Sequence, residues 1–411
     1  MSAPAYPSAT RARSSGNYLP PVPVQRPWRD VVRVWWREID KLLLALIVLL
    51  MLIGIVAVAA ASPASADQLS TATQRVPDFM FFQRHIVFQV MGLTLMIGLS
   101  FLERDQARRL GIMVGAVMLL LLFVVPFIGE EKNGARRWIN LGMSLQPSEF
   151  LKPGFAIICA WVLSWRVRDP GLPVITCVSG LMALIATLLM LQPNLGDAIL
   201  FGGIWLVIVL LAGMPWQRLA AVGTFSVASL GLAYVFYDNA RHRIDGFLGG
   251  GTAFDQVDLA QRTITAGGWT GTGLWLGIRK LNLPEAHTDY IFSVIGEEFG
   301  LITCAMIVLL YCALVLRGLM RLVGEDNLFA LLAGAGLITQ FGGQAFINML
   351  VNLKLFPSKG MTLPLISYGG SSTLAVCFTL GLLLAITRRN PFLAREGAGL
   401  RNLIDRKEDR P

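Results

Sequence analysis

Ten apolar runs of about 20 residues divide the chain, each long enough to cross the hydrocarbon core of a bilayer as a helix. They lie at roughly 41–61, 83–101, 108–128, 148–166, 172–191, 195–213, 217–237, 290–316, 327–351 and 362–387. Within lipid the backbone must satisfy its own hydrogen bonds, and a continuous apolar run does so as a helix. The pattern therefore predicts an all-α integral membrane protein with ten transmembrane helices. The first run starts forty residues in and is too long for the apolar core of a signal peptide.

Composition agrees. Hydrophobic residues make up 55% of the 411 and charged residues 15%, against about 25% charged in a soluble domain. The cations set the orientation. Residues 1–41 hold seven Lys/Arg and the segment after Thr387 holds seven more. Short gaps on the same side add Arg104, Arg108, Arg109, Arg166, Arg168, Arg218, Arg317 and Arg321, so 22 of 35 basic residues share one side. Cation-rich loops stay in the cytoplasm, which puts both termini there. The net charge of +9 is then a topological bias and not a nucleic-acid footprint. Three regions follow: a disordered cytoplasmic tail over 1–40, a membrane domain over 41–387 with a large extracytoplasmic loop at 238–289 between helices 7 and 8, and a cytoplasmic tail over 388–411. All five cysteines fall inside predicted spans, with no disulfide or metal spacing.

The polar exceptions face outward. The stretch 129–147, GEEKNGARRWINLGMSLQP, holds Arg136 and Arg137 beside Trp138. Paired guanidiniums suit a phosphate or pyrophosphate, although they also have Glu130 and Glu131 to pair with. In QPSEFLK, Glu149 and Lys152 share a helix face, and a lysine at that depth needs a cavity or a partner. QPNLGD (192–197) joins two runs with almost no loop; Gln192, Asn194 and Asp197 suit a polar ligand, and turn chemistry explains them nearly as well. GGWTGTGLWLG (267–277) lacks the strand-to-helix setting of a nucleotide loop, so its glycines predict tight turns near membrane or ligand. Lys280 follows, then AHTDYIFSVIGEE (286–298). Last, Lys359, Ser367, Tyr368, Ser371 and Ser372 surround Gly369 and Gly370. These small and hydroxylic residues predict either a cavity wall or close helix packing.

Taken together, NGARRWINLG…QPSEFLK, LPEAHTDYIFSVIGEE and KGMTLPLISYGGSS resemble the SEDS family (shape, elongation, division and sporulation) over residues 40–390. They are closer to its division members than to its elongation members. The resemblance implies ten transmembrane helices in the bacterial inner membrane and a polymerase for lipid II, the undecaprenyl-pyrophosphoryl disaccharide-pentapeptide. It implies a class B penicillin-binding transpeptidase and other division proteins as partners at the septum. Asp289 matches the family's essential aspartate, and the resemblance implies a resting pair between Lys152 and Asp289. Two positions depart from the pattern. The family turn Gln-Pro-Asp-x-Gly-Thr here ends in Asp197 with Asn194 at its third place, and Pro153 follows Lys152.

The chemistry of such a polymerase fixes what the site must contain. A sugar 4-hydroxyl attacks an anomeric carbon that carries a lipid pyrophosphate, inverting it to a β-1,4 bond. The hydroxyl needs a general base, and the departing pyrophosphate needs cations. Asp289 is the expected base, with His287 as the alternative on intrinsic pKa. Ser293 and Gly296 are expected on its helix face, with Thr288 beside it. Arg136, Arg137, Lys280 and Lys359 are expected to meet the pyrophosphate or the sugars. Glu297 and Glu298 are expected to be polar partners between helices. The carboxylates also permit a Mg²⁺ or Mn²⁺ on the pyrophosphate; no ligand spacing requires one, and no organic cofactor is expected. A lipid II transporter, a non-catalytic scaffold and an elongation polymerase remain the competing readings.

Overall fold

The computed structural model describes residues 27–71, 75–132, 135–140, 144–167, 171–217, 256–357 and 360–388, with isolated positions between them. Helix α1 (Trp28–Glu38) stands as a unit of its own, separate from the membrane domain. It corrects the expected disorder over 28–38 alone, since residues 1–26 lie outside the described residues: the alternation of Trp and Val with Arg in WRDVVRVWWRE is an amphipathic helical pattern.

The membrane domain runs α2 (Lys41–Leu69), α3 (Met80–Ser100), α4 (Arg104–Ile128), a small sheet, α5 (Pro147–Ser164), α6 (Val174–Leu191), α7 (Leu195–Leu211), α8 (Gln256–Ala266), α9 (Ile291–Leu322), α10 (Leu328–Asn352) and α11 (Gly370–Thr387). Eight of these helices are long and apolar enough to cross a membrane, and α7 is a shorter apolar helix. The expected run at 217–237 and the loop segment 238–255 lie largely outside the described residues. The sheet orders its antiparallel strands β1 (Glu130–Lys132), β2 (Ala135–Asn140) and β3 (Ser144–Leu145) in sequence, with Glu131 opposite Arg136 and Ile139 opposite Leu145.

Helices α10 and α11 form the centre, with 72% and 78% of their most apolar windows buried. α10 packs on α5, α7 and α9, while α11 packs on α3. α4 lies against α5, where a Cβ on Gly154 would sit 2.4 Å from the Gly115 Cα. Such small-residue contacts let backbones approach where lipid gives no hydrophobic drive. Helix ends are capped locally: Asn194 accepts from the Asp197 amide at 3.3 Å, and Asn327 from the Ala330 amide at 3.1 Å.

Two segments are irregular at helix depth. The last run was expected to be helical from 362, but α11 starts at Gly370, and 361–369 is turn and coil. Its carbonyls are met by side chains from the spans around it. Asn348 donates to Met361 O (2.6 Å), Gln344 to Thr362 O (3.1 Å), Tyr311 to Pro364 O (2.5 Å) and Gln89 to Leu365 O (2.6 Å). Non-helical backbone at this depth requires such internal partners.

The second irregularity is in α9, which breaks at Gly300 (φ 83°). The glycine-rich loop fits into the break. Thr272 N donates to Glu297 O (2.8 Å), Gly273 N to Glu298 O (3.0 Å), and Leu301 N to Gly268 O (3.0 Å). A side chain on Gly271 would meet Glu298 O at 2.2 Å, and its φ is 84°. The glycines thus serve close backbone approach, as expected. The two glutamates hold this loop and do not bridge helices, which corrects the expectation for them. Glu297 accepts from the Arg279 amide (2.7 Å) and the Lys280 amide (2.9 Å), while Glu298 accepts from the Trp275 amide (3.1 Å) and the Lys280 ammonium.

The α4–α5 contact makes a direct prediction. Gly154→Ala should lower thermal stability by about 1–3 kcal/mol, the usual cost of forcing extra volume into a packed site. Gly98→Ala, with nothing within 4 Å of the new Cβ, should be neutral or slightly stabilising. Thermal unfolding of both variants in one detergent checks the difference.

Candidate active site

Asp289 sits at the end of a turn just before α9. The turn begins at Glu285, whose left-handed backbone (φ 53°) lets its carbonyl accept from both the Thr288 amide (3.1 Å) and the Tyr290 amide (3.2 Å). Its main chain is held from behind. Asn348 and Asn352 of α10 donate to the Asp289 carbonyl at 2.8 and 3.1 Å. Ser367 donates to Thr288 O (2.5 Å), and Tyr368 N donates to His287 O (2.9 Å). Asn352 also accepts from the Ser293 amide (3.1 Å), which it shares with the Tyr290 carbonyl, and from the Ser293 hydroxyl (2.7 Å), tying the start of α9 to α10. The side chain of Asp289 faces forward, and a Cβ on Gly360 would lie 3.1 Å from its Oδ2.

In front lies an open cavity of 1360 Å³ at the sheet end of the bundle. One wall is α3, with Gln83, Arg84 and Phe88; the sheet adds Arg137, Trp138 and Asn140. The floor and far wall are Glu149, the turn residues Glu285, Thr288 and Asp289, and the start of α11. Of the residues expected at the site, the structure brings Arg137, Trp138, Glu149, Thr288, Asp289, Gly369, Gly370, Ser371 and Ser372 to this cavity.

Other expected contacts do not line it. Arg136 points away to Glu131 at 3.3 Å on the exposed sheet. Lys280 is buried against Glu298 and Ala60 O (3.0 Å) in the glycine-rich loop. Gln192 is buried, its amide on Leu122 O at 2.9 Å, yet its carbonyl accepts from the Arg137 guanidinium at 2.9 Å. The Arg137 fork also reaches Pro193 O, so Gln192 orients a cavity cation without touching the cavity. Ser293 and Gly296 point inward, on Asn352 and Ile264, because the chain turns between Asp289 and the helix proper; one helical face does not join them. Ser367 supports the turn from behind. Lys359 lies outside the described residues.

His287 is also behind the turn, its ring centroid 4.1 Å from that of Phe81 and 5.5 Å from that of Tyr368. Burial lowers its pKa to about 4, against the opposing pull of Glu285. An imidazole so far below neutrality is a weak base, and it does not line the cavity.

The largest correction concerns Lys152. Its fully buried ammonium lies 2.7 Å from Glu149 and 2.9 Å from Asp197, with Gln344 Oε1 at 3.5 Å. Asp289 is not among its partners. Asp197 is further held by the Ser148 hydroxyl (2.7 Å) and the Asn194 amide (2.8 Å). The lysine therefore sits between two acids beside the cavity, one cation shared by Glu149 and Asp197. Glu149, at the cavity edge, passes the contact on through Ser372 (3.4 Å), whose hydroxyl meets Thr362 at 2.6 Å. The sequence marks Asp197 as a polar exception but not as the partner of Lys152, because its place in the turn reads as a departure from a motif. Sequence reading missed Arg84, Gln83 and Asn140 because nothing in their spacing singles them out; an arginine early in an apolar run was the available signal.

Residues 40–391 match the FtsW/RodA/SpoVE family, described as cell cycle proteins. The chain belongs to that family. Among its relatives is the probable peptidoglycan glycosyltransferase FtsW of Caulobacter vibrioides, 35% identical over 365 residues, which are 88% of this chain and 93% of that protein. The protein of the same name from Halorhodospira halophila is 36% identical over 367 residues, 85% and 90% of the two chains. A chain from the structure of a peptidoglycan synthase complex that coordinates polymerization and crosslinking superposes with a TM-score of 0.68 at 30% identity, covering 86% of this chain and 98% of its own. The crystal structure of the rod shape determining protein RodA of Thermus thermophilus gives 0.63 at 29%, with 86% and 97% covered. For an FtsW/RodA/SpoVE protein, the family match takes in every wall of the cavity, from α3 to α11.

Removing one partner from a buried ion cluster strands a charge and costs about 3–5 kcal/mol. Lys152→Met should therefore strongly lower the melting temperature, while Lys152→Met combined with Asp197→Asn should recover part of the loss. Thermal melts of the two singles and the double, in one detergent, measure the coupling.

Proposed function

We propose that this protein polymerises lipid II into β-1,4-linked glycan strands during septal cell-wall synthesis. The observation that carries the reading is the placement of Asp289: a carboxylate on a rigidly held turn, at the wall of a large cavity that also presents Arg84 and Arg137. The relatives named as peptidoglycan glycosyltransferases FtsW support both the reaction and the division role.

In this reading the glycan acceptor and the lipid-linked donor meet in the cavity. Asp289 takes the proton from the acceptor 4-hydroxyl as its oxygen attacks the donor's anomeric carbon. The bond from that carbon to the pyrophosphate oxygen breaks on the opposite face, and the centre inverts. Arg137, aimed by the Gln192 and Pro193 carbonyls, and Arg84 on α3 stabilise the charge that grows on the pyrophosphate. Trp138 offers an aromatic face to a sugar. The cavity carboxylates are Glu149, Glu285 and Asp289. Among the described residues no three His, Cys, Asp or Glu converge into a metal site, so a Mg²⁺ or Mn²⁺ here would draw its remaining ligands from the substrate phosphates.

The enzyme sits in the bacterial inner membrane with both termini cytoplasmic and the cavity facing outward, at the septum, in a bundle of ten spans. Its partners are a class B penicillin-binding transpeptidase and other division proteins. The match to a complex that coordinates polymerization and crosslinking supports that pairing.

Purified protein with its transpeptidase should convert labelled lipid II to glycan in the presence of moenomycin, and Asp289→Asn should lower the rate by at least about 10²-fold, the lower range for a positioned base. Polymer yield on a denaturing gel reads the outcome. Equal yields from wild type and Asp289→Asn would remove Asp289 from the mechanism.

A further inference from the structure

Helix α1 (Trp28–Glu38) has no part in the site described above, yet its surface is sharply divided. At 100° per residue, Trp28, Val31, Val32 and Trp35 fall on one face. Arg29, Arg33 and Arg37, four apart, fall on the other. Trp28 is 71% exposed, Val31 44%, Val32 39% and Trp36 49%. A helix that exposes two indoles and two valines, backed by a row of arginines, is unusual for a surface in water.

The chain itself limits what can cover that face. Only Ile39 and Asp40 separate α1 from α2, a 29-residue apolar helix that crosses the membrane from Lys41. Two residues span at most about 7 Å, so α1 cannot leave the membrane surface from which α2 enters. At that depth indoles favour the headgroup level, and arginines extend their guanidiniums to phosphates while their stems stay apolar. With Arg26 and Lys41 at its two ends, the segment 26–41 has five cations against the three acids Asp30, Glu38 and Asp40.

We propose that α1 is an interfacial helix that lies in the plane of the bilayer, with Val31 and Val32 among the acyl chains, Trp28 and, at the edge of the apolar face beside Arg29, Trp36 at the headgroup level, and Arg29, Arg33 and Arg37 on anionic lipid headgroups. It anchors the start of α2 at a fixed depth, and its retention is sensitive to the charge of that leaflet. This inference rests on the membrane domain and is independent of the polymerase reading.

The test is amide hydrogen exchange on the full-length protein in nanodiscs of phosphatidylcholine with phosphatidylglycerol. Wild-type amides of residues 31–38 should exchange at least ten-fold more slowly than those of the Val32→Glu/Trp36→Glu variant. Peptides from α2 and α10 should be unchanged between the two, which reports that the bundle is folded. In pure phosphatidylcholine discs, or in the Arg29→Gln/Arg33→Gln/Arg37→Gln variant, protection should fall several-fold. Equal exchange in wild type and Val32→Glu/Trp36→Glu, whether both fast or both slow, would overturn the bilayer contact. Protection indifferent both to phosphatidylglycerol and to the arginines would overturn the headgroup contact.

Discussion

A carbonyl without water must find a donor within the protein, and this requirement shapes the membrane domain around its cavity. The segment 361–369 breaks helical order where the sequence is still apolar. Four of its carbonyls are met by Gln89, Tyr311, Gln344 and Asn348, one polar side chain each, drawn from three spans. With those donors in place the segment can turn, and α11 starts at Gly370 with its first turn at the cavity wall. The same device holds the turn before α9: Asn348 and Asn352 grip the carbonyl of Asp289. Asn348 touches both, so one amide on the central helix staples the turn carrying the carboxylate to the segment opposite.

Charge is distributed with similar separation of duties. The buried lysine does not hold the catalytic candidate in reserve. It is shared by Glu149 and Asp197 in a buried cluster beside the cavity. Glu149 then meets the cavity edge through Ser372 while Asp289 stands apart at the turn. Glu297 and Glu298 lie inside an apolar helix because a loop needs their carboxylates there. They accept the amides of a glycine-rich loop that enters a break in α9 at Gly300, and neither lines the cavity.

Much of this was legible in the sequence, and the failures share a cause. Run length placed eight of the ten expected spans among the described residues, because bilayer thickness sets a length that no local interaction overrides, while α7 is a shorter apolar helix. The Arg137–Trp138, Glu149 and Asp289 stretches read as outward polar exceptions, and the structure gathers them. What did not read was direction. Ser293 counted as a neighbour of Asp289 only on the assumption that the helix begins before residue 289; a turn intervenes, and Ser293 faces Asn352. Lys280 looked like a cation for the cavity, yet its partner is seventeen and eighteen residues further on, across a loop whose path spacing does not reveal. Gln89, Gln344 and Asn348 were invisible as functional residues, since an amide in a span has no signature until the carbonyl it serves is known. Residues 28–38 were assigned to the tail by composition, although their arginines already recurred every four residues.

In the proposed mechanism Asp289 acts as the base because α10 fixes its main chain from behind. The most direct measurement is the rate of lipid II polymerisation by Asn348→Leu, with substrate concentration varied and the thermal midpoint recorded alongside. The account predicts a fall in kcat of about ten-fold or more, of the size expected when a catalytic group is displaced slightly, with KM little changed and the bundle still folded. A folded Asn348→Leu protein with the wild-type kcat would contradict it.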